Sequence, residues 1–236
     1  MNNSDKEKYL QSKEDLREIQ QFLLDLAERV VVEEKKFNLY PLDLLEIAKE
    51  SAKYPENVLF QNITELYQEK WIVPGEPMTK NLVFDILDHR RIYTFILEHP
   101  GCDTLDVMNG VGISFRYALK NLETLFKFGF IRAHKYSQYF LYFPSFMPEE
   151  QDLIYCLTRN ITIRQILRYL SERKAGITVS KMSQVLEKQE VLILRKLTQL
   201  THAHIVRLIQ NGMILKYKIA DLDEGVLQDI LNRYDK

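Results

Sequence analysis

The 236 residues carry 46% apolar side chains, enough to bury a core in each of one or more domains. A formal charge of -1 with 28% charged residues of mixed sign excludes a uniformly basic coat for nucleic acid and any acidic or basic tail, so an electrostatic function has to be local. There is no run of about 18 uncharged apolar residues, and the opening MNNSDKEKYLQSKEDL is too polar for a signal or transit sequence, which predicts a soluble, cytoplasmic protein that does not enter membranes.

In chain order, residues 14 to 34 place Leu16, Ile19, Leu23, Leu26 and Val30 at alternating spacings of three and four. That periodicity predicts a helix with one apolar stripe, packed on the domain that follows or forming a dimer seam. YPLDLLEIAKESAK then reads as a helix with Leu44, Leu45 and Ala48 inward. PENVLFQNITELYQEK is a second helix opened by Pro55, and WIVPG is a strand entering a Pro-Gly turn.

The order then returns. FDILDHRRIYTFILEHPG is a helix stopped by Pro100-Gly101, TLDVMNGVG a short helix ending at glycines, and ISFRYALKNLETLFKF a longer helix. FIRAHKYSQYFLYFPS alternates as a hairpin around Ser137. A third pass gives ITIRQILRYLSERKAG, TVSKMSQVLEKQ and EVLILRKLTQL as helices, then a hairpin around the turn signal Asn211-Gly212 and a closing helix near Glu224 to Tyr234. The segments LKNLETLFKFGFI, LRKLTQLTHAHIV and NITELYQEKWIV repeat one pattern: leucine or isoleucine three apart at the end of a helix, then an apolar strand start.

A helix, a short helix, a longer helix and a hairpin make the order of a winged helix. The stretch RRIYTFILEHPGCDTLDVMNGVGISFRYALKNLETLFKFGFIR resembles archaeal and bacterial winged helix-turn-helix transcription regulators of the broad MarR-like and ArsR-like class, through Arg91, Ile92, Tyr93, Pro100, Gly101, Leu122, Leu125, Gly129 and Ile131. The likeness is strong over about a third of the chain, moderate in the third unit and weak in the first. It implies a mainly α fold with small β-hairpins: three tandem winged-helix domains at residues 1-80, 81-148 and 149-236, plus the N-terminal helix. Asn121 stands where many members of that class have histidine before the first leucine.

In that class the third helix enters the major groove and the hairpin wing follows the backbone or minor groove. Carried onto the second unit, this turns Ala118, Leu122 and Leu125 inward and leaves Ser114, Arg116, Tyr117, Lys120, Asn121, Thr124 and Lys127 outside or flanking. Arg116 suits guanine edges and Asn121 adenine, whereas Lys120, Lys127, Arg132 and Lys135 suit phosphates. From Ile113 to Phe140 the basic residues number five against one acidic, Glu123. In the third unit, Arg159 through Lys218 holds twelve basic and three acidic residues, a local balance of +9 that attracts a polyanion. Its third helix is expected to expose Gln189, Leu192, Arg195, Lys196 and Gln199, with Leu194, Leu197 and Leu200 inside. The glutamines suit base edges, and Leu192 suits a protein contact.

Residues 1-80 balance at -5, and their last helix carries Glu56, Glu65 and Glu69, so residues 14-80 are assigned to a homodimer seam or a protein partner. A dimer would set two recognition helices about 34 Å apart or a multiple of it.

No phosphate-binding glycine loop occurs among the eight glycines. His202 and His204 have no third metal ligand, Cys102 and Cys156 read as reduced thiols, and DLDEG at 221–225 reads as the N-cap of the last helix. Tyr136 and Tyr139 are the exposed pair expected on an otherwise core-facing aromatic hairpin. We therefore expect no enzymatic activity, cofactor or metal, and expect a double-stranded DNA-binding transcription regulator. The rival readings are a tandem winged-helix scaffold for proteins, similar in kind to subunits of the endosomal sorting machinery, and a binder of single strands or RNA.

Overall fold

Leu23 and Leu26 lie on the buried side of helix α1 (Glu18–Glu28), with Leu16 buried just before it and Val30 buried in the π-helical turn Arg29–Glu33 into which it widens. In the computed structural model, residues 13–51, 54–220 and 224–232 are described, and they are mainly helical with two small antiparallel hairpins. The chain divides into two compact units, residues 1–147 and 148–236.

In the first unit, α1 packs on α2 (Pro41–Ser51) and α3 (Glu56–Gln68), and Leu44, Leu45, Ala48, Leu59, Ile63 and Leu66 complete one core. Gln20 and Arg17 on α1 both bond the Glu65 carboxylate on α3. The strand expected at Trp71–Gly75 does not form. Trp71 and Ile72 are drawn into the core instead, and the backbone finds other partners: Lys80 N donates to Trp71 O at 2.9 Å and Gly75 N to Phe37 O at 2.8 Å. A strand needs a neighbour, and a 3-10 helix at Lys80–Asp85 takes the chain away before one can pair.

The rest of this unit runs α4 (Leu87–Glu98), α5 (Thr104–Val111), α6 (Phe115–Lys127), β1 (Ile131–Tyr136) and β2 (Tyr139–Pro144). Each boundary has a local cause. The Asp103 carboxylate accepts from Leu105 N and Asp106 N to start α5, and Gly112 closes it at φ 74. The Ser114 hydroxyl accepts from Tyr117 N to start α6. Gly110 inside α5 carries no Cβ because one would overlap the Phe95 ring packed against it. Val83, Ile92, Ile96, Val107, Leu122, Leu125 and Phe128 fill the second core.

The second unit repeats this order after a helix the sequence pattern missed, α7 (Asp152–Thr158). It continues with α8 (Ile161–Ser171), α9 (Val179–Leu186), α10 (Glu190–His202), β3 (Val206–Asn211), β4 (Ile214–Ile219) and α11 (Glu224–Asn232). The side chains of Asp221 to Asp223, and with them the expected N-cap of α11, lie outside the described residues. Asn211 pairs with Ile214, so the hairpin loop is Gly212-Met213, one residue later than the Asn-Gly signal, with Gly212 at φ 63.

Two features recur. In both units the residue two before the short second helix bridges the second hairpin strand: Cys102 pairs with Tyr142, and Ile177 with Tyr217. A positive-φ glycine precedes each, Gly101 and Gly176. The ends of α3, α6 and α10 also share one geometry. The amides of Trp71, Phe130 and Ile205 donate to the carbonyls of Leu66, Leu125 and Leu200, each after a left-handed residue, Lys70, Gly129 or His204.

Candidate nucleic-acid interface

On α6 the buried side chains Ala118, Asn121, Leu122, Thr124 and Leu125 fix which face is wet. Arg116, Tyr117 and Lys120 are exposed and, with Ser114, Leu119 and Glu123, line a shallow hollow of about 520 Å3. Phe115, Leu119 and Phe126 are also exposed, so the cationic strip runs beside an apolar ridge that the sequence reading did not anticipate. Phe115, Leu119 and Phe126 recur at i, i+4 and i+11, a stripe that runs along the exposed edge beside the buried Leu122.

Three of the expected contacts change character. Asn121 is only 5% exposed, and its amide donates to Tyr117 O at 2.7 Å, so, contrary to expectation, it is not available to a base edge. The reason is rotational: Asn121 sits between Ala118 and Leu125 on the inward arc. Lys127 is exposed but ion-paired to Glu76 and Glu123, both at 2.8 Å, and the bond to Glu123, followed by that to Glu76, raises its pKa. Arg132, half-buried on β1, donates to Met147 O at 2.8 Å and lies over the Phe143 ring. Lys135, farther along β1, is exposed, as is Tyr139, whereas Tyr136 is half-buried.

In the second unit Ile193, Leu197 and Leu200 set the inward direction of α10. The register differs from that expected: Leu194 is 46% exposed, because the four-then-three spacing beginning at Ile193 follows the helical repeat and a strict three does not. Gln189 stands at the N-cap and is exposed, as are Arg195 and Gln199, while Leu192 and Lys196 are half-buried. Burial, and after it the neighbouring Arg195, lowers the pKa of Lys196. Val191 is 78% exposed on the same face.

The adjoining hairpin places Arg207 directly opposite Lys218, with Lys216 opposite Ile209 on the same face of the ribbon. Its tip is apolar: Met213 is fully exposed and Ile214 and Leu215 are half exposed.

His202 and His204 are both exposed, and no group of three potential metal ligands occurs among the described residues. Cys102 and Cys156 are buried thiols in different units. No helix among the described residues is long and apolar enough to cross a membrane. No family model matches this sequence, and no curated protein matches it significantly.

Proposed function

We propose that the chain is a double-stranded DNA-binding transcription regulator in which residues 81-148 and 149-236 act as tandem winged helices. The observation that carries this reading is the arrangement in the second unit. An outward helix face with Arg195 and Gln199 is followed by a hairpin bearing Arg207, Lys216 and Lys218, within a stretch whose charge balance is +9. A field of that sign attracts phosphates, and a helix with arginine and glutamine outward presents side chains matched to base edges. In the first unit Arg116 and Lys120 repeat the arrangement more weakly.

Residues 14-80, acidic and without a hairpin among their described residues, serve assembly in this reading. The protein-scaffold reading draws on one specific observation, the exposure of Val191, Leu194 and Met213. Selection from a mixed duplex pool decides between them. Enrichment of particular sequences by the full chain, lost in Arg195→Ala/Lys196→Ala, is the expected result; equal recovery of all duplexes, or none, would defeat the regulator reading.

A further inference from the structure

Helix α6 is apolar over more of its circumference than one core uses. Ala118, Leu122 and Leu125 fill the second core, and Phe115, Leu119 and Phe126 extend the apolar arc past its edge, each side chain close to half exposed. The stripe runs about 17 Å, from the first residue of the helix into its last turn. The further round a helix its apolar residues reach, the more of it is covered in the functioning molecule, and contiguous exposed apolar surface marks an interaction site.

The complete stripe is particular to α6. Aligning the three helix ends that share one hydrogen-bond geometry puts Leu119 level with Phe60 on α3 and Leu194 on α10, all three exposed. At the positions of Phe115 and Phe126, α10 instead has Glu190 and Thr201, and α3 has Glu56 and Tyr67, whose hydroxyl is tied to Leu39 O. One exposed leucine needs no explanation, whereas two phenylalanines in register with it do. The unneutralised charges bordering the stripe are all positive. Arg116 and Lys120 stand one turn apart on its outer flank, exposed and without an ion pair among the described residues. The Lys70 ammonium lies 5.7 Å from the ring centroid of Phe126 at the far end. Glu123, the acidic residue on the flank, is neutralised by Lys127 at 2.8 Å.

We infer that this edge of α6 is a docking strip for an acidic amphipathic helix of a protein partner. The partner's apolar side chains lie on Phe115, Leu119 and Phe126, and its carboxylates face Arg116, Lys120 and Lys70. Covering the stripe supplies most of the affinity; the cations fix the orientation and reject basic helices. The docking does not depend on the chain's binding DNA. One consequence does rest on that reading: Arg116 and Lys120 cannot meet phosphate and partner together, so helix and duplex exclude one another at the first unit.

Selection of displayed helical peptides of about 15 residues on the full chain tests this, with the enriched peptides then titrated by fluorescence anisotropy. The expected result is enrichment of acidic sequences with apolar residues at helical spacing, binding one-to-one and about tenfold or more weaker to Phe115→Ser/Leu119→Ser. Arg116→Glu/Lys120→Glu should weaken the acidic peptide by a similar factor and strengthen its counterpart with lysine in place of each acid, a reversal that an unfolded variant cannot give. Arg195→Ala/Lys196→Ala should leave peptide binding unchanged. The substituted side chains of α6 are exposed, so both variants should keep the native circular dichroism. No enrichment, enrichment of basic or uncharged peptides, or affinity indifferent to the stripe would overturn the inference. So would weakened duplex binding in Phe115→Ser/Leu119→Ser with no peptide enriched, which would make this edge of α6 a nucleic-acid surface.

Discussion

The ammonium of Lys80 lies 5.3 Å from the ring centroid of Trp71, the largest fully buried side chain of the protein. It also lies 5.6 Å from the Phe130 ring and donates to Glu69 O at 3.1 Å. Trp71 belongs to the core built on α1–α3 and Phe130 to the core built on α4–α6, so one cation bridges the two halves of the first unit. Lys70 over Phe126, and Lys127 paired with Glu76, cross the same seam.

Trp71→Ala should therefore destabilise the first unit by about 3–5 kcal/mol, the cost of emptying a large buried site. Lys80→Met should change stability by less than about 1 kcal/mol, because the cation–π gain is offset by the burial that lowers the pKa of Lys80. Urea unfolding followed by circular dichroism measures both, and in Lys80→Met the chain's single tryptophan reports the same unit by fluorescence.

Alkaline pH should loosen the first unit over a defined window. Burial pushes the Tyr93 phenol up to about 12, and burial and then Asp43 also raise Tyr67, whose hydroxyl donates to Leu39 O at 2.8 Å. A tyrosine in the unfolded chain ionises near 10. The folded pKa is the higher one, so this contribution is complete below pH ~10 and is lost as pH rises from there through about 12 for Tyr93. Tyrosinate absorbance during alkaline titration should show late-ionising residues, and Tyr93→Phe should reduce the loss of stability in that window.

The thiols should be silent until the protein opens. Cys102 is 4% and Cys156 1% exposed, and burial, followed by the charge of Asp152, pushes the Cys156 thiol up to about 12. At pH near 8 almost no Cys156 thiolate exists in the native state. A thiol-specific chromogenic reagent should label neither cysteine in native protein within the time that labels both in denaturant; rapid native labelling of Cys156 would contradict the packing around α7.

Asn121→Ala should leave any DNA affinity and its salt dependence unchanged, and should lower stability by about 1 kcal/mol through loss of the bond to Tyr117 O. Arg116→Ala should do the reverse. Binding and denaturation measured on the same two variants separate a buried structural amide from an exposed cation.

Much of this was legible because it depends on local spacing. Helix periodicity located α1 to α6 and α8 to α11, the paired glycines marked the end of α5, and the shared leucine pattern marked three helix ends that do share one hydrogen-bond geometry. What failed depended on contacts distant in sequence or on a single-residue choice. WIVPG has strand composition, but the core claims Trp71 and no strand pairs with it among the described residues. Leu192, Ile193 and Leu194 are all apolar, so composition could not decide which points inward, whereas packing selected Ile193. Asn121 was drawn outside by its polarity, yet a backbone carbonyl one turn earlier satisfies it inside.

The salt dependence of binding to duplex DNA, measured for the full chain and for Arg195→Ala/Lys196→Ala from low to physiological salt, decides whether the basic second unit binds a nucleic-acid backbone. For a DNA-binding regulator the logarithm of the binding constant falls linearly with the logarithm of salt, and the double variant has a shallower slope by about 0.9 for each phosphate contact removed. Binding that stays flat as salt rises, a slope unchanged in the variant, or no binding even at low salt would contradict that reading.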